Sequence, residues 1–511
     1  GGGRMLSVLI AGPMLAALAV LLVREPRQVR ALALLLSALM LAWVGVILGR
    51  FDVAQAGMQM SEFWPWLPNL GLNYRLGCDG LSVSLLALNA LMTWVVIYST
   101  PIDVERPRLY YSLILLVSGG LAGAFTAQNI LLFVLFYELE LIPVYFLIGI
   151  WGGARREYAA LKFLIYTAIS GLLILVGCLA LGWLSGSPNF DYPTVQATVN
   201  RLGVGFQVTL LLVWLLGFGI KTPLVPLHTW LPDAYVEAAP PVAILLGGIL
   251  AKLGTYGLVR FGLQLFPLAW AQLSPALALW GTVGVLFGAL AAIAQKDIKR
   301  MVAYSSIGHM GYVMLGCAVG TPLALVGAIA QMVSHGIILA ILFHLVGVIE
   351  RKVGTRELDV LNGLMNPLRG LPTISSLLVL GGMASAGIPG MAGFVAEFLV
   401  FQGSYPIFPV LTLLCVLGTG LTAVYFVILL NRTCFGKLDS RTAYYPRVFF
   451  AEKAPALVLA GLIVFLGLQP MWLVKWSETT AQALAVTELA QAPWTQGHFA
   501  GLPSVHSPLQ P

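Results

Sequence analysis

The 511-residue sequence is 59% hydrophobic and only 10% charged, whereas an ordinary soluble domain has about 25% charged residues. Its 28 lysines and arginines and 21 acidic residues are too few to coat a soluble globule of this size. Composition therefore excludes a soluble enzyme, a nucleic-acid binder and a disordered chain. The net charge of +7 comes from basic residues scattered between apolar segments, as in a polytopic membrane protein.

Fourteen apolar segments follow one another along the chain, and a membrane helix needs about 20 such residues. Their continuity, without the alternation of a barrel strand, predicts an all-α polytopic membrane protein of about 14 transmembrane helices. The predicted segments are residues 5–23, 31–49, 80–99, 109–126, 128–150, 160–184, 206–230, 239–265, 274–294, 300–319, 323–349, 371–401, 409–431 and 454–474.

Basic residues are distributed unevenly between the loops. The loops after odd-numbered segments carry 19 lysines and arginines, whereas the opposite side, with both termini, carries 5. Because cytoplasmic loops are enriched in these residues, the distribution predicts an even number of helices and both termini on the non-cytoplasmic side.

The sequence offers no recognisable site for a metal or cofactor. Its five cysteines are scattered singly without a Cys-x-x-Cys pair, and neither a Walker motif nor a dinucleotide-binding glycine motif occurs. We therefore expect that this chain binds no metal and no cofactor directly.

Seven charged residues lie inside the apolar segments, where each costs at least ~2.5–3.5 kcal/mol on insertion scales. They are Glu138, Glu140, Lys162, Lys221, Lys252, Arg260 and Glu397. Arg260 is near the end of its segment, so we expect its side chain to reach the interface, and Lys162 fits that interpretation as well as a functional one. A functional role is predicted for the four with apolar sequence on both sides, Glu138, Lys221, Lys252 and Glu397.

Histidines also occur in or near the apolar segments, namely His228, His309, His335 and His344. Among lysines and glutamates they suit a proton relay, because imidazole titrates near neutrality. A metal site is the weaker alternative, since no two have i, i+3 or i, i+4 spacing. Helical geometry places His335 and His344 about 180° apart, so at most one of them belongs to a given proton path. By the same geometry Glu138 and Glu140 point about 200° apart, toward different partners.

Two segments carry helix-breaking sequences beside a buried charge. Residues 219–226 (Gly-Ile-Lys-Thr-Pro-Leu-Val-Pro) surround Lys221, and residues 386–393 (Ala-Gly-Ile-Pro-Gly-Met-Ala-Gly) precede Glu397. Proline cannot donate a backbone hydrogen bond, so freed carbonyls at membrane depth must meet water, ions or protein groups. Two such breaks, five segments apart, predict inverted five-helix repeats of helices 4–8 and 9–13, with helices 7 and 12 broken. The predicted units are residues 1–108 (helices 1–3), 109–265, 274–432 and 433–511 (helix 14 and tail).

Several motifs are spread over most of the chain. They include Leu-Phe-Tyr-Glu-Leu-Glu-Leu-Ile-Pro at 135–143, Lys-Thr-Pro at 221–223, Gly-Ile-Leu-Ala-Lys at 248–252, Ala-Tyr-Ser-Ser-Ile-Gly-His-Met-Gly at 303–311, Gln-Met-Val-Ser-His-Gly at 331–336 and Phe-Val-Ala-Glu-Phe at 394–398. Together they resemble the antiporter-like subunits of respiratory and photosynthetic complex I. Glu397 resembles the M- or D-type subunit (chain 4), because sister subunits tend to carry lysine there. Residues 51–53, 75–77, 108–111 and 383–387 look most like its cyanobacterial form devoted to CO2 uptake.

The resemblance implies a proton-translocating, non-redox subunit. Glu138 and Lys221 would form a switching ion pair, whose separation lowers the proton affinity of the lysine. Lys252 and His309 would continue a hydrophilic axis, with His335 as a central relay. Glu397 would be its terminal group. Further candidates for the path are Glu140, His228, Lys162 and His344.

The resemblance also implies partners and a location. Plastoquinone, ferredoxin or NAD(P)H and iron–sulfur clusters would be bound by partner subunits. The expected neighbours are other membrane subunits, including a sister antiporter-like subunit, together with lipids and a peripheral CO2-hydration subunit. The expected location is a cyanobacterial thylakoid, with both termini in the lumen. Two alternatives stay open, a subunit of a multi-subunit cation/proton antiporter without redox activity and a structural platform whose charges are inert.

Overall fold

The computed structural model describes residues 3–438 and 444–485, so residues 439–443 and the tail beyond 485, both within the predicted unit 433–511, lie outside the described residues. Within these ranges thirteen helices are long and apolar enough to cross a membrane, and two shorter apolar helices make up the broken twelfth segment. We number the membrane helices α1 (Met5–Leu22), α2 (Pro26–Arg50), α3 (Gly80–Ser99), α4 (Pro107–Thr126), α5 (Ile130–Trp151), α6 (Arg156–Leu184), α7 (Val204–Lys221), α8 (Pro240–Leu263), α9 (Pro267–Ile293), α10 (Ile298–Val319), α11 (Pro322–Val353), α12 (Pro372–Ser385 and Ala392–Ser404), α13 (Pro409–Thr433) and α14 (Phe450–Leu468).

The all-α membrane fold is confirmed, and most boundaries lie within a few residues of the prediction. The seventh segment differs most. Its continuous helix ends at Lys221, and the chain then turns before a short helix, Trp230–Glu237. The prolines at 223 and 226 account for this, because neither can donate the hydrogen bond that would continue the helix. Other short helices outside the membrane set are Tyr192–Thr198, Met471–Val474 and Glu478–Leu484.

A β-hairpin between α2 and α3 was not predicted. Its strands β1 (Gln59–Leu67) and β2 (Leu72–Cys78) are antiparallel and are joined by a 3₁₀ turn, Pro68–Leu70. Glu62 on β1 accepts hydrogen bonds from the backbone N–H groups of residues 6 and 7, so the hairpin caps the start of α1. The hairpin was not predicted because prolines lie within and directly after β1, and proline is uncommon in strands.

The most buried helices define the centre of the molecule. α8 is completely buried, and α10 and α11 are 94% buried over their apolar windows, whereas α2 and α14 are only 22% and 33% buried. α8, α10 and α11 therefore form the core, and the peripheral helices present exposed apolar side chains to their surroundings. In a membrane this arrangement places polar groups of the central helices away from lipid.

Glycines bring α9 and α10 into close contact. A Cβ atom added to Gly288 would collide with the backbone of Gly308, and one added to Gly281 would lie 2.9 Å from the carbonyl oxygen of Gly311. Small residues at such a crossing allow two backbones to approach. The contact fixes the position of α10, which carries His309.

The Arg260 side chain is buried inside the protein and does not extend to its surface, so the expectation for this residue was wrong. Its side chain is completely buried and forms a paired contact with Asp79, with Nη2–Oδ1 and Nη1–Oδ2 distances of 2.6 and 2.7 Å. Nη2 also donates to Ser82 Oγ, and Asp79 caps the start of α3 through Ser82 N. Sequence reasoning missed Asp79 because it lies one residue before its apolar segment. The pair ties α8 to the start of α3.

Candidate functional site

Lys252 lies in the middle of α8, directly after a π-helical stretch, Leu246–Leu250. There the N–H of Ala251 donates to the carbonyl of Leu246, five residues back, at 3.1 Å. The carbonyl of Gly247 accepts from the Lys252 ammonium at 2.6 Å. π-Turns are frequent at functional sites, and this one supplies a backbone acceptor for a cation that has no exposed surface.

Three further buried side chains lie one after another beyond Lys252. Its Nζ atom lies 2.6 Å from Nδ1 of His335 on α11. The His335 ring stacks near that of His309 on α10, with centroids 6.0 Å apart and an interplanar angle of 27°. His309 Nε2 lies 3.8 Å from Oε1 of Glu397 on α12. Lys252, His335, His309 and Glu397 thus form a continuous set of buried side chains, which we call the buried row.

A small cavity with a mixed polar and apolar lining adjoins the buried row. It has a volume of about 10 Å³, and its lining includes His309, His335, Glu397, Gln331 and Ser305. This volume is close to the ~10–15 Å³ that one water molecule requires. The two histidine rings are too far apart for direct proton transfer, and a cavity of this size can hold a single bridging water.

His309 is surrounded by acceptors on both sides of its ring. Nδ1 lies 2.7 Å from the carbonyl oxygen of Ser305, and Nε2 lies 2.8 Å from that of Ser385. The Ser385 carbonyl is available because the residue four positions later is Pro389, which has no N–H. Two carbonyl acceptors suit a ring that donates from both nitrogens, the imidazolium form. The Glu397 carboxyl group is the acidic group beside this ring, with Oε1 at 3.8 Å from Nε2.

The break in α12 also makes room for Glu397. Gly387 and Gly390 adopt φ values of +77° and +94°, in the left-handed region that favours glycine. A Cβ atom on Gly387 would lie 2.5 Å from Glu397 Oε2, so the carboxylate occupies the space beside the break. The broken helix therefore contributes both a carbonyl and a carboxylate to the buried row.

Lys221 lies at the end of α7 and is 3% exposed. Its ammonium lies 5.3 Å from the ring centre of Tyr137 and 5.9 Å from that of Phe163. Among the described residues, no carboxylate oxygen lies within 4 Å of it. The ion pair expected between Lys221 and Glu138 is therefore open in this structure.

The break after α7 satisfies its own freed carbonyls. The carbonyl of Gly219 accepts from Leu224 N at 2.7 Å instead of from Pro223, which has no N–H. The carbonyl of Ile220 accepts from the indole Nε1 of Trp230 at 2.8 Å. Protein groups thus stabilise the interrupted backbone beside Lys221.

Glu138 and Glu140 face different helices, in line with their spacing. Glu138 is half-buried against Gly171 of α6, whereas Glu140 is fully buried against Gly120 of α4. Within the described chain, neither carboxylate oxygen of Glu140 has a hydrogen-bond partner. Glu140 is therefore a fully buried carboxyl group on the same helix as Glu138 and a second candidate counter-ion for Lys221.

The remaining candidates lie away from the buried row. Lys162 Nζ is 2.8 Å from Asp233 Oδ2, and Arg300 lies 3.4 Å from the same carboxylate. The His228 ring packs against Phe287 with centroids 4.8 Å apart. In the described chain none of these contacts involves a member of the buried row.

His344 is separate from His335, as their nine-residue spacing predicted. Its Nε2 lies 2.6 Å from the backbone carbonyl of Glu452. It lines a cavity of about 770 Å³ together with Glu350 and Arg351.

Sequence reasoning missed another buried cation, Lys299, because it was counted as a loop residue. Its side chain is only 2% exposed and donates to the carbonyl of residue 238 at 2.6 Å.

Comparison with known proteins identifies the family. Residues 127–422 match the family described as NADH:quinone oxidoreductase/Mrp antiporter, TM. The chain belongs to this family. The matched region contains all four members of the buried row, Lys221 and both glutamates of α5.

Similar chains come from cyanobacteria. NAD(P)H-quinone oxidoreductase chain 4 1 of Synechococcus sp. (strain JA-3-3Ab) is 39% identical over 506 residues, covering 96% of this chain and 95% of that protein. NAD(P)H-quinone oxidoreductase chain 4 of Prochlorococcus marinus (strain NATL2A) is 40% identical over 448 residues, covering 86% and 83%. The likeness thus extends beyond the family region to almost the whole chain.

Solved structures share the architecture. A chain of respiratory complex I from Thermus thermophilus with bound NADH superposes with a TM-score of 0.85 at 30% identity, covering 94% of this chain and 99% of that one. A chain of the Mrp complex from Dietzia sp. DQ12-45-1b has a TM-score of 0.84 at 21% identity, covering 94% and 97%. The second likeness concerns the fold alone.

Proposed function

We propose that this chain is a proton-translocating membrane-arm subunit of a complex I-type NAD(P)H- or ferredoxin–plastoquinone oxidoreductase and holds no redox centre itself. The names of its cyanobacterial relatives support the type of assembly. The observation that carries the proposal is the buried row, in which Lys252, His335, His309 and Glu397 follow one another through four helices. Ionisable groups in membrane helices are costly, and a continuous set of them is the usual mark of a proton relay.

The geometry suggests how protons would move. The Lys252 ammonium donates to His335 Nδ1, and transfer of that proton would leave a neutral lysine and an imidazolium. A bridging water in the small cavity would then pass a proton to His309, whose environment suits the charged ring. Glu397 would accept it at the end of the row. Closing or opening the pair between Lys221 and the α5 glutamates would change the proton affinity of Lys221 and so drive the relay.

Coupled proton uptake tests the proposal. In the purified assembly in sealed vesicles, electron transfer to plastoquinone and proton uptake are measured together for Lys252→Met and for the exposed control Lys296→Met. We expect Lys252→Met to lose proton uptake per electron while the control keeps it. An unchanged ratio in an assembled Lys252→Met complex would contradict the proposal. Sodium-dependent antiport in an assembly without electron-transfer subunits would favour the cation/proton antiporter instead.

We further propose that the assembly is the form that supports CO2 uptake, with a peripheral CO2-hydration subunit among its partners. The support is the likeness of residues 51–53, 75–77, 108–111 and 383–387 to that form. Deleting the chain should reduce inorganic-carbon uptake at low CO2 and leave respiratory electron flow intact. Loss of respiration with normal carbon uptake would contradict this assignment.

We propose a thylakoid location with both termini in the lumen. The asymmetry of basic loop residues supports this orientation. Arg4→Cys and Lys296→Cys test it, because all five native cysteines are buried and should not react with a membrane-impermeant maleimide. In intact thylakoids only Lys296→Cys should be labelled, and labelling of Arg4→Cys alone would reverse the orientation.

A further inference from the structure

An apolar groove opens on the outside of the molecule between α2, α3, α11 and α14. Its volume is about 740 Å³, within the roughly 300–1,000 Å³ range of small-ligand sites. The lining is formed by aliphatic and aromatic side chains and glycines, with Ser84 and Lys475 as the polar exceptions. Lys475 is the charged member of this lining.

Lys475 is held at the groove by two tryptophans. Its ammonium lies 3.7 Å from the ring centre of Trp472 and 4.4 Å from that of Trp476. In the described part of the chain, no carboxylate oxygen lies within 4 Å of it. Tryptophans concentrate at the membrane–water interface, so an unpaired cation is placed at headgroup level with an apolar groove beside it.

The groove extends inward to the back of α11. Val333 and Ile337 line it, and they flank His335 in sequence by two residues on each side. Residues two apart on a helix face away from each other by about 160–200°, so the groove lies behind the helix face that carries the buried row. Its contents therefore pack against a helix that positions His335.

Two glycines of α2 keep the groove open. Gly45 and Gly49 line it, and an added Cβ atom at either position would have no atom within 4 Å. A larger side chain there would project into unoccupied space and would not clash with a neighbouring helix. This property makes the groove testable without disturbing the packing.

We propose that the groove binds one anionic phospholipid, with an acyl chain against α11 and the phosphate on the Lys475 ammonium. The negative charge complements the unpaired cation, and the apolar lining of the groove complements the acyl chain.

Native mass spectrometry of the full chain in its purified assembly tests the site, with phosphatidylglycerol and phosphatidylcholine as probes. We expect one phosphatidylglycerol to be retained more tightly than phosphatidylcholine. Lys475→Gln should weaken phosphatidylglycerol about threefold to tenfold and leave phosphatidylcholine unchanged, whereas Arg201→Gln, which changes an exposed cation elsewhere, should change neither.

The steric variants separate a lipid from a protein occupant. Gly45→Leu should abolish retention of the lipid, whereas Gly461→Leu, on α14 with equally open space but outside the groove, should preserve it. Equal retention of both lipids by the wild type, or full retention by Gly45→Leu, would overturn the proposal. Loss of a neighbouring subunit in Gly45→Leu, with lipid retention unchanged, would assign the groove to a protein partner instead.

Discussion

Nζ of Lys252 and Nδ1 of His335 are 2.6 Å apart, although the two residues are 83 positions apart and lie on different helices. When Lys252 is an ammonium it can only donate, so His335 Nδ1 is then the acceptor and the neutral ring carries its proton on Nε2. In that state the hydrogen bond runs from the lysine on α8 to the ring on α11. His335 is accordingly the link between Lys252 and the second half of the buried row.

His335→Asn should preserve the fold and abolish proton translocation. Asparagine offers an oxygen that can accept from Lys252 but cannot take up and release a proton near neutrality. We expect the rate of proton transfer through this chain to fall by roughly 10²-fold, the scale of a lost proton-transfer group, and the proton uptake per electron of the assembly to lose this chain's share. His335→Ala should in addition lower the unfolding temperature, because the lysine loses an acceptor. Normal proton uptake by His335→Asn in vesicles would remove His335 from the path.

The two glutamates of α5 should share the control of Lys221. Because both carboxyl groups of α5 are proposed counter-ions of Lys221, we expect Glu138→Gln and Glu140→Gln each to retain partial pumping and the double variant to lose it. Glu140 has no hydrogen-bond partner within the described chain, so Glu140→Gln should unfold at a temperature no lower than the wild type. Full pumping by the double variant would exclude the proposed switch.

The effects of substituting Asp79 and Arg260 on the free energy of unfolding should be strongly non-additive. Asp79→Ala leaves the guanidinium buried without its counter-ion, so we expect a loss of about 3–5 kcal/mol in the free energy of unfolding. The double variant Asp79→Ala/Arg260→Met should lose less, because no unpaired charge remains. Thermal unfolding in detergent measures all three. Equal losses for the single and double variants would contradict the coupling.

The same pair predicts a pH dependence. Burial alone would raise the pKa of the Asp79 carboxyl, but the charge and hydrogen bonds of Arg260, with the hydrogen bonds of Ser82, hold that pKa below its usual value. A carboxyl with a lowered folded-state pKa stabilises the fold above its unfolded pKa of about 3.9 and loses this contribution as the pH falls through the folded value. The difference in unfolding temperature between wild type and Asp79→Asn should therefore be constant from pH 7 to 5 and shrink in stronger acid. A difference that grows with acidification would contradict the sign.

Gly288 and Gly284 on α9 should respond differently to one added methyl group. A Cβ atom at Gly288 would collide with the backbone of Gly308, whereas one at Gly284 would meet its nearest atom at an ordinary 3.8 Å. Gly288→Ala should therefore cost about 1–3 kcal/mol and reduce pumping by shifting α10 with His309. Gly284→Ala should be close to neutral. Similar unfolding temperatures for both variants would contradict the close approach.

The sequence by itself determined the membrane helices, the two breaks and which charges lie among apolar residues. These features depend on composition over about 20 residues and on the missing N–H of proline, both of which are local. The sequence also placed Lys221, Lys252 and Glu397 among the functional candidates from their apolar surroundings alone.

Only the tertiary structure decided which of these groups meet. Arg260 was expected at the interface and is instead paired with Asp79, and the β-hairpin was hidden by its prolines. Whether Lys252 reaches His335 depends on the π-turn of α8 and on the rotation of α11, and whether His309 lies beside His335 depends on the close approach of α9 and α10. Contacts between helices are set by packing over long sequence separations, which hydropathy and helical period do not specify.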